Sequence, residues 1–407
     1  MSNDEFDLRV PVTAETGALY DGVDYVARAR ALRDELERGA VDADATTSLA
    51  PNIVKQLIEG GFYRLTVPRS FGGAQIGLYT FMQTIEAIAM ADASPAWCLG
   101  QAAGCAFSAA YLQTDAAMEI FGDERAAVSW GPGSAKAVAT DGGFRVTGKW
   151  SFASGIHQTT WVGGHSPVFD RDGVTPLLNK HGEPLVMTFF FPKDKVKITR
   201  VWNVIGLRGT GSDNYEVDDL FVPNRHCYWR DPTELKDNGP LYLFPVNTIH
   251  AVAFSAIALG IARTQLSSFI DLARVKTPRL QKNPIKLKDS HVIQGQVGMA
   301  EAQLRAARHY AFDSVERVWL DVEETGRVTL DQRMLIRLAT THAIHQAREV
   351  VDFAYHEAGA LAVLASNPFE RRFRDMHTIT QQVQARRQHF ETVGRHILGL
   401  EPDLTMV

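Results

Sequence analysis

Cysteine is scarce in this sequence of 407 residues, and its three copies form no metal-binding or disulfide pattern. Cys98, Cys105 and Cys227 include no CxxC pair, which argues against a zinc ribbon. An odd number of unpaired cysteines is typical of proteins in a reducing compartment. We therefore expect a cytoplasmic protein without disulfide bonds and without a metal site.

Motifs that cradle nucleotide phosphates are also missing. Neither GxGxxG nor GxxxxGK[ST] occurs, which excludes a Rossmann nicotinamide site and a P-loop. The net charge of −5 excludes a broad surface for nucleic acid or an anionic membrane. The first residues, MSNDEFDLRVPV, are acidic and lack an apolar core, so we expect no secretory signal there.

Two long apolar stretches are present, at 93–112 and 243–266. The first is mostly Ala, Gly, Ser and Cys with Gln101 inside it, and the second carries His250 and Arg263. Helices that are apolar all round also form the centre of large helical proteins. We therefore predict buried helices and no membrane association.

The hydrophobic pattern divides the chain into three regions. Residues 1–125 have helical spacing, 126–232 alternate like strands, and 233–407 contain long helical segments with few breakers. These segments are predicted at 245–275, 288–320, 328–360 and 370–398. The predicted fold is α+β and mainly α, with an N-terminal helical domain, a middle β-barrel-like domain and a C-terminal four-helix bundle.

The middle region contains a predicted hairpin and a glycine-rich stretch. The hairpin turns at 141–143 and places Phe144, Val146, Gly148, Trp150 and Phe152 on one face. In the stretch GLRGTGSDNYEVDDLFVP, an alternating, strand-like run follows the glycines. This order predicts a turn between two strands and not a dinucleotide loop, which would open a helix.

Four motifs, in this order, resemble those of the acyl-CoA dehydrogenase family. They are VPRSFGGAQIG at 67–77, GKWSFASG at 148–155, the glycine-rich stretch at 206–223 and FERRFRDMHTI at 369–379. The resemblance covers about residues 20 to 400. It implies that family's fold and a flavin site near the second and third motifs.

The chain departs from the dehydrogenases at the catalytic base. Removal of an α-proton from a thioester needs a carboxylate. The usual position of that glutamate falls on Val383, and the alternative position falls near Ile270, with Asp271 about 100° away on the helix. The family's flavin-pyrophosphate pattern is altered to VKTPR at 275–279, which implies that a permanently bound FAD would be held loosely.

The motifs of this chain are instead similar to those of the two-component flavin monooxygenases built on this fold. The shared features are RGTGS at 208–212, the pair Ser154 and Gly155, and His377 after Arg-Asp. The resemblance implies a separate NAD(P)H–flavin reductase that supplies reduced FAD, or FMN as the alternative. O₂ would then form a C4a-hydroperoxide, which hydroxylates or epoxidises an aromatic or heteroaromatic substrate. It also implies a homotetramer.

The resemblance also suggests residues for the site. Ser154 is the candidate hydroxyl beside flavin N5, with Ser151 as its fallback, and His377 is the candidate acid–base, kept neutral by Arg371, Arg372 and Arg374. Each of the two could instead be structural, Ser154 as a turn cap and His377 as a core histidine. The candidate cofactor-binding residues are Trp130, Ser151, Ser154, Arg208, Thr210 and Arg374, and the candidate substrate-binding residues are Trp97, Gln101 and Cys105.

The helix that carries Trp97 and Cys105 contains no histidine. Phenol hydroxylases of this group tend to have one near that point, so a small-lined, apolar pocket is expected and an indole-like ring is favoured over a simple phenol. Two rival functions stay open. One is a true acyl-CoA dehydrogenase with a displaced base, and the other is a flavin-free binding protein on the same scaffold.

Overall fold

The computed structural model describes residues 20–237, 239–278 and 284–407. Its first part is helical, as the sequence predicts. The six helices are α1 (Tyr25–Ala31), α2 (Arg33–Thr46), α3 (Pro51–Glu59), α4 (Leu78–Ala91), α5 (Ala93–Ala106) and α6 (Thr114–Phe121). α3 begins at a proline, whose missing N–H is not needed there, and the chain turns away at Gly61, which has a φ of +76°.

The second part is a mixed sheet of eight strands. They are β1 (Val128–Ser129), β2 (Gly133–Thr140), β3 (Gly143–Ala153), β4 (Trp161–Phe169), β5 (Val186–Pro192), β6 (Lys197–Thr199), β7 (Asp213–Pro223) and β8 (Cys227–Trp229). The predicted hairpin is confirmed, since β2 and β3 pair from Thr140↔Gly143 outward. The strand order β6-β7-β3-β2-β4-β5-β8, with β1 beside β4, leaves β6 and β8 at the edges. In the described residues the sheet is therefore open and not closed into the expected barrel.

Strand β4 was not predicted, because its sequence has glycines at 163 and 164, which disfavour strands. The structure explains both of them. A β-carbon on Gly163 would lie 2.7 Å from the Trp130 ring, and one on Gly164 would lie 2.6 Å from the Trp150 ring. The glycines therefore make room for two large indoles that pack on the sheet.

The predicted face of β3 is correct up to Trp150 and wrong at Phe152. Trp150 is fully buried and stacks on Tyr215 with ring centroids 5.1 Å apart. The pairing of β3 with β7 shifts register between Trp150 and Ala153, and Phe152 has a φ of +59°. This bulge turns the Phe152 side chain outward, where 60% of it is exposed, and aims the end of β3 at the site described below.

The third part consists of long helices. They are α7 (Val246–Val275), α8 (His291–Thr325), α9 (Leu330–Ala358), α10 (Pro368–Ile379) and α11 (Gln388–Ile397). The helix expected over 370–398 is thus two helices. Gln382 is extended, with a ψ of 151°, and its side chain accepts a hydrogen bond from Gln384 N, which ends the helical path. The buried Gln384 side chain in turn accepts a hydrogen bond from Arg337.

Helix α7 lies at the centre of the chain, against α4, α5 and α9. It is long and apolar enough to cross a membrane, but 89% of its most apolar window is buried inside the protein. A core helix of a large helical protein has the same composition. The helix therefore gives only weak evidence for a membrane span, and its apolar surface is covered within one subunit.

Candidate functional site

The serine predicted beside the flavin lies where the end of β3 approaches the turn before β7. Ser154 follows β3 directly and is 6% exposed. Ser129 Oγ donates to its carbonyl oxygen at 2.8 Å, and Gly155 N donates to Thr210 O at 2.8 Å. The structure therefore brings Ser154 and Thr210 together, with their backbones fixed to each other.

A chain of hydroxyl groups runs through this junction. Thr210 Oγ1 donates to Leu207 O at 2.8 Å, and its oxygen lies 2.7 Å from Ser212 Oγ. Ser212 Oγ is also 2.7 Å from Ser154 Oγ, which receives the Trp97 Nε1 proton at 3.0 Å. Because each hydroxyl has one proton, Ser212 must donate to Thr210, and Ser154 must donate to Ser212. Ser154 Oγ is left with one lone pair that this network does not use.

The three candidate substrate residues share one face of α5. Trp97, Gln101 and Cys105 are spaced four residues apart, which places them above one another on a helix. Trp97 stacks on Phe254 of α7, with ring centroids 4.0 Å apart and planes 7° apart. Gln101 Nε2 lies 3.5 Å from Trp130 O. Burial raises the pKa of Cys105, so its side chain is a neutral thiol.

The expectation of an apolar pocket without a histidine is wrong. His250 reaches this wall from α7 and stacks on Phe254, with ring centroids 5.7 Å apart and planes 4° apart. A β-carbon on Gly104 would overlap His250 Nε2, so the glycine is what admits the imidazole. Nε2 is buried and has no hydrogen-bond partner in the described residues. Burial lowers the pKa of His250 to about 4. His250 was not among the candidate site residues, although a titratable residue inside a long apolar stretch was a signal that could have pointed to it.

Trp130 is joined to this group through Gln101, which contacts its carbonyl oxygen. Its ring meets His165 edge-on, with centroids 5.0 Å apart, and the Arg230 guanidinium carbon lies 5.7 Å from its centroid. His165 Nδ1 is 2.9 Å from Thr188 Oγ1, and burial, aided by the charge of Arg230, lowers the pKa of His165 to about 3. We call this set of side chains the aromatic pocket: Trp97, Gln101, Trp130, His165, His250 and Phe254.

Ser151 lies on β3 near this group, and its backbone N donates to Pro132 O at 2.9 Å. Its carbonyl oxygen packs against Gly131, where a β-carbon would overlap it. Ser154 lies in the hydroxyl chain, whereas among the described residues no side-chain hydrogen bond ties Ser151 to it. The structure therefore favours Ser154 over Ser151 as the serine of the site.

The two candidate cofactor arginines are both engaged within the chain. Arg208 Nε donates to Asp44 O at 2.7 Å and Nη1 donates to Val204 O at 2.9 Å. Arg374 binds Glu370 at 2.6 Å and the Asp44 carboxylate at 3.2 Å. These contacts tie α2, α10 and the turn before β7 together. A role for either arginine in binding flavin phosphate stays a prediction.

His377 is not brought to the hydroxyl chain by any contact. Its Nε2 lies 2.7 Å from Asp352 Oδ1 on α9, and its ring is 4.3 Å from the Phe373 ring. The expected arginine surroundings are absent from these contacts, because Arg374 faces Glu370, and Arg372 donates to Ser268 Oγ at 2.8 Å. The His377 imidazole is paired with the Asp352 carboxylate instead.

Another residue of α10 does reach the site, and its role was not predicted from the sequence. Asp375 is buried, and its Oδ1 accepts a hydrogen bond from Leu207 N at 2.5 Å. Leu207 has a φ of +52°, a conformation that a branched side chain rarely adopts. Burial and the nearby Asp92 carboxylate raise the pKa of Asp375 to about 7. Asp375 therefore holds the strained start of the turn that carries Thr210.

The positions where dehydrogenases keep their base offer no carboxylate to the pocket. Val383 lies in a short 3-10 helix. Asp271 pairs with Arg274 at 3.0 Å, and 61% of its side chain is exposed. In the altered motif at 275–279, Lys276 donates to Ala358 O, and Arg279 lies outside the described residues.

Comparison with known proteins gives the family. The N-terminal domain model of acyl-CoA dehydrogenase matches residues 26–118, and the C-terminal domain model matches residues 252–387. An indole-3-acetate monooxygenase from Pseudomonas putida is 28% identical over 96% of this chain and 97% of its own length. The oxygenase subunit HsaA, a flavin-dependent monooxygenase from Rhodococcus jostii, is 27% identical over 86% of this chain and 91% of its own.

The fold agrees with this assignment. The structure of XiaF from Streptomyces, in complex with FADH2 and glycerol, superimposes with a TM-score of 0.86 at 21% identity and covers 94% of this chain and 97% of XiaF. The predicted α+β fold, with its order of helices, sheet and helices, is confirmed. The chain belongs to the acyl-CoA dehydrogenase superfamily, and within it to the flavin-dependent monooxygenases, oxidoreductases that use flavin and O₂.

Proposed function

We propose that this chain is the oxygenase of a two-component system that hydroxylates or epoxidises an aromatic, indole-like substrate. A separate NAD(P)H–flavin reductase supplies the reduced flavin, taken to be FAD, with FMN as the alternative. The names of the two relatives support the partner and the substrate class, since one is an oxygenase subunit and the other acts on indole-3-acetate. The observation that carries the proposal is that Trp97 links the Ser154 hydroxyl chain directly to the aromatic pocket.

The free lone pair of Ser154 fits a reduced flavin. A reduced flavin carries a proton on N5 and donates a hydrogen bond there, whereas oxidised flavin only accepts one. Because the Ser154 proton is committed to Ser212, Ser154 Oγ acts as an acceptor. The residues would therefore select the reduced form, which supplies the two electrons that activate O₂. The aromatic pocket binds the substrate, and its buried aromatic side chains exclude water from it.

The direct test is isotope incorporation. The protein is supplied with reduced FAD from an unrelated NADH–flavin reductase, with ¹⁸O₂, and with indole, indole-3-acetate or resorcinol in separate assays. We expect mass spectrometry to find one ¹⁸O atom in the product of at least one ring. Oxidation of acyl-CoA thioesters with a dye acceptor would instead support a dehydrogenase, and reduced-flavin binding without any product would support a binding protein.

Ser154→Ala is expected to uncouple oxygen use from product formation. The variant loses the N5 acceptor and the partner of Trp97 Nε1, and one such hydrogen bond is worth roughly 1 kcal/mol. We therefore expect H₂O₂ release per NADH to rise up to about tenfold. Ser166→Ala is the control, since this buried hydroxyl bonds only to Pro167 O in the described residues. Equal H₂O₂ release from wild type and Ser154→Ala would reject the role.

We also propose a homotetramer, which the family resemblance implies and which exposed side chains of α8 support. Helix α7 is covered within the subunit, but α8 exposes Val292, Met299 and Leu320, which lie whole heptads apart and form a stripe that winds slowly round the helix. Such a stripe is expected to meet another copy. Analytical ultracentrifugation should give four times the subunit mass of 45.0 kDa. A species at the subunit mass at micromolar concentration would contradict the proposal.

A further inference from the structure

An unpaired positive charge lies at the edge of the aromatic pocket. Arg230 follows β8, and its guanidinium carbon is 5.7 Å from the centroid of the Trp130 ring, within cation–π range. Over the described ranges it makes no hydrogen bond and no ion pair. The next residue, Asp231, is engaged elsewhere, by Lys180 at 2.9 Å and by Thr233. The Trp130 ring therefore holds this cation in place without neutralising it.

The charge acts on the interior of the pocket. After burial, Arg230 contributes most to lowering the pKa of both His165 and His250, which lie on different elements. Both imidazoles are consequently neutral near pH 7. In the described residues, no hydrogen bond, ion pair or ring contact of the six pocket side chains involves an Asp or Glu. The pocket thus has a neutral aromatic interior with the uncompensated cation of Arg230 beside it. The second arginine whose charge reaches His250, Arg337, donates to the Gln384 side chain and to Met406 O.

We infer that the substrate is an aromatic ring with an anionic group, such as a carboxylate, on a short side chain, and that Arg230 binds the anion. This inference rests on the proposed function. The Trp97 and Phe254 side supplies an apolar wall for the ring, and the unpartnered His250 Nε2 can accept a hydrogen bond from a ring N–H or O–H. A guanidinium suits a carboxylate because it can donate two parallel hydrogen bonds.

The test measures ligand binding, without turnover. Indole-3-acetate and its primary amide differ in charge but hardly in shape, and phenylacetate with phenylacetamide forms a second matched pair. Calorimetric titration of the protein, with reduced flavin present under anaerobic conditions, should show each carboxylate binding about tenfold to a hundredfold more tightly than its amide. Arg230→Met should abolish this preference and leave affinity for the amides within about threefold. Arg230→Lys should restore part of the preference, because lysine keeps the charge but not the paired donors.

Arg200→Met is the matched control, since Arg200 is also exposed and makes no ion pair or ring contact in the described residues. It should keep the preference for the carboxylate. An unchanged preference in Arg230→Met, or no binding of either carboxylate to the wild type, would overturn the inference. Weaker binding of reduced flavin by Arg230→Met, with the preference retained, would assign the arginine to flavin phosphate and also overturn it. Failure of the proposed function is distinct, since it appears as absent ¹⁸O product even where the carboxylates bind.

Discussion

Replacement of His377 by alanine is expected to lower the yield of oxygenated product far more than it weakens reduced-flavin binding. Loss of a general acid–base group typically slows the affected step about 10²- to 10⁴-fold. His377 is held by Asp352 through Nε2, at 2.7 Å, so its Nδ1 remains available to exchange a proton. Flavin binding depends mainly on stacking and phosphate contacts, which the imidazole does not supply. Asp352→Asn should give a smaller loss of the same kind, because it disturbs the orientation of the ring.

The measurement is rapid mixing of the reduced-flavin complex with O₂ and substrate across pH, followed by product analysis. His377→Ala should give far less oxygenated product than wild type throughout the pH range. The chain provides a matched control in His396, whose Nε2 lies 2.6 Å from Asp331 Oδ1 in a second His–Asp pair on α11. His396→Ala should behave as wild type. If both histidine variants keep the wild-type pH profile and product yield, His377 has only a structural role.

The sequence was a good guide wherever a structure depends on neighbouring residues. The hairpin turn at 141–143, the α5 face with Trp97 and Gln101, and the glycine-rich turn before β7 each follow from local patterns. The family and its flavin chemistry came from the four motifs in order, since none of them alone defines a site. These features need only the periodicity of helices and strands and the turn preferences of glycine.

Most of the features that could not be predicted from the sequence depend on contacts between distant segments. The hydrogen bond from Trp97 to Ser154 joins residues 57 apart, and His250 enters the pocket only because α7 packs against Gly104. Phe152 faces outward because a single bulge reverses the alternation of the strand. Such features cannot be predicted from residue spacing along one element, because they depend on the packing of several elements.

Asp375 illustrates a further limit, because its environment has a measurable effect that its sequence motif does not suggest. The carboxyl group is buried beside Asp92, and its folded-state pKa of about 7 is well above the ordinary value near 3.9 in an unfolded chain. Between these two values the folded protein keeps a proton that the unfolded chain has released. The contribution of the Asp375 carboxyl group to the free energy of unfolding is therefore fully present below pH 4. It is lost progressively as the pH rises from about 4 through about 7.

Asp375→Asn is expected to remove this pH dependence. The amide resembles the neutral acid and still offers an oxygen to Leu207 N, so the strained turn stays anchored. Below pH 4 the two proteins should be similarly stable, whereas the variant should be more stable by about 1.5 kcal/mol at pH 5 and by up to about 4 kcal/mol at pH 8. Urea unfolding at pH 5, 6, 7 and 8 measures the difference, with the exposed Asp194→Asn as control. If Asp375→Asn follows the wild-type curve at all four pH values, the buried carboxyl group does not take up a proton on folding, and its link to the Leu207 turn is only a hydrogen bond.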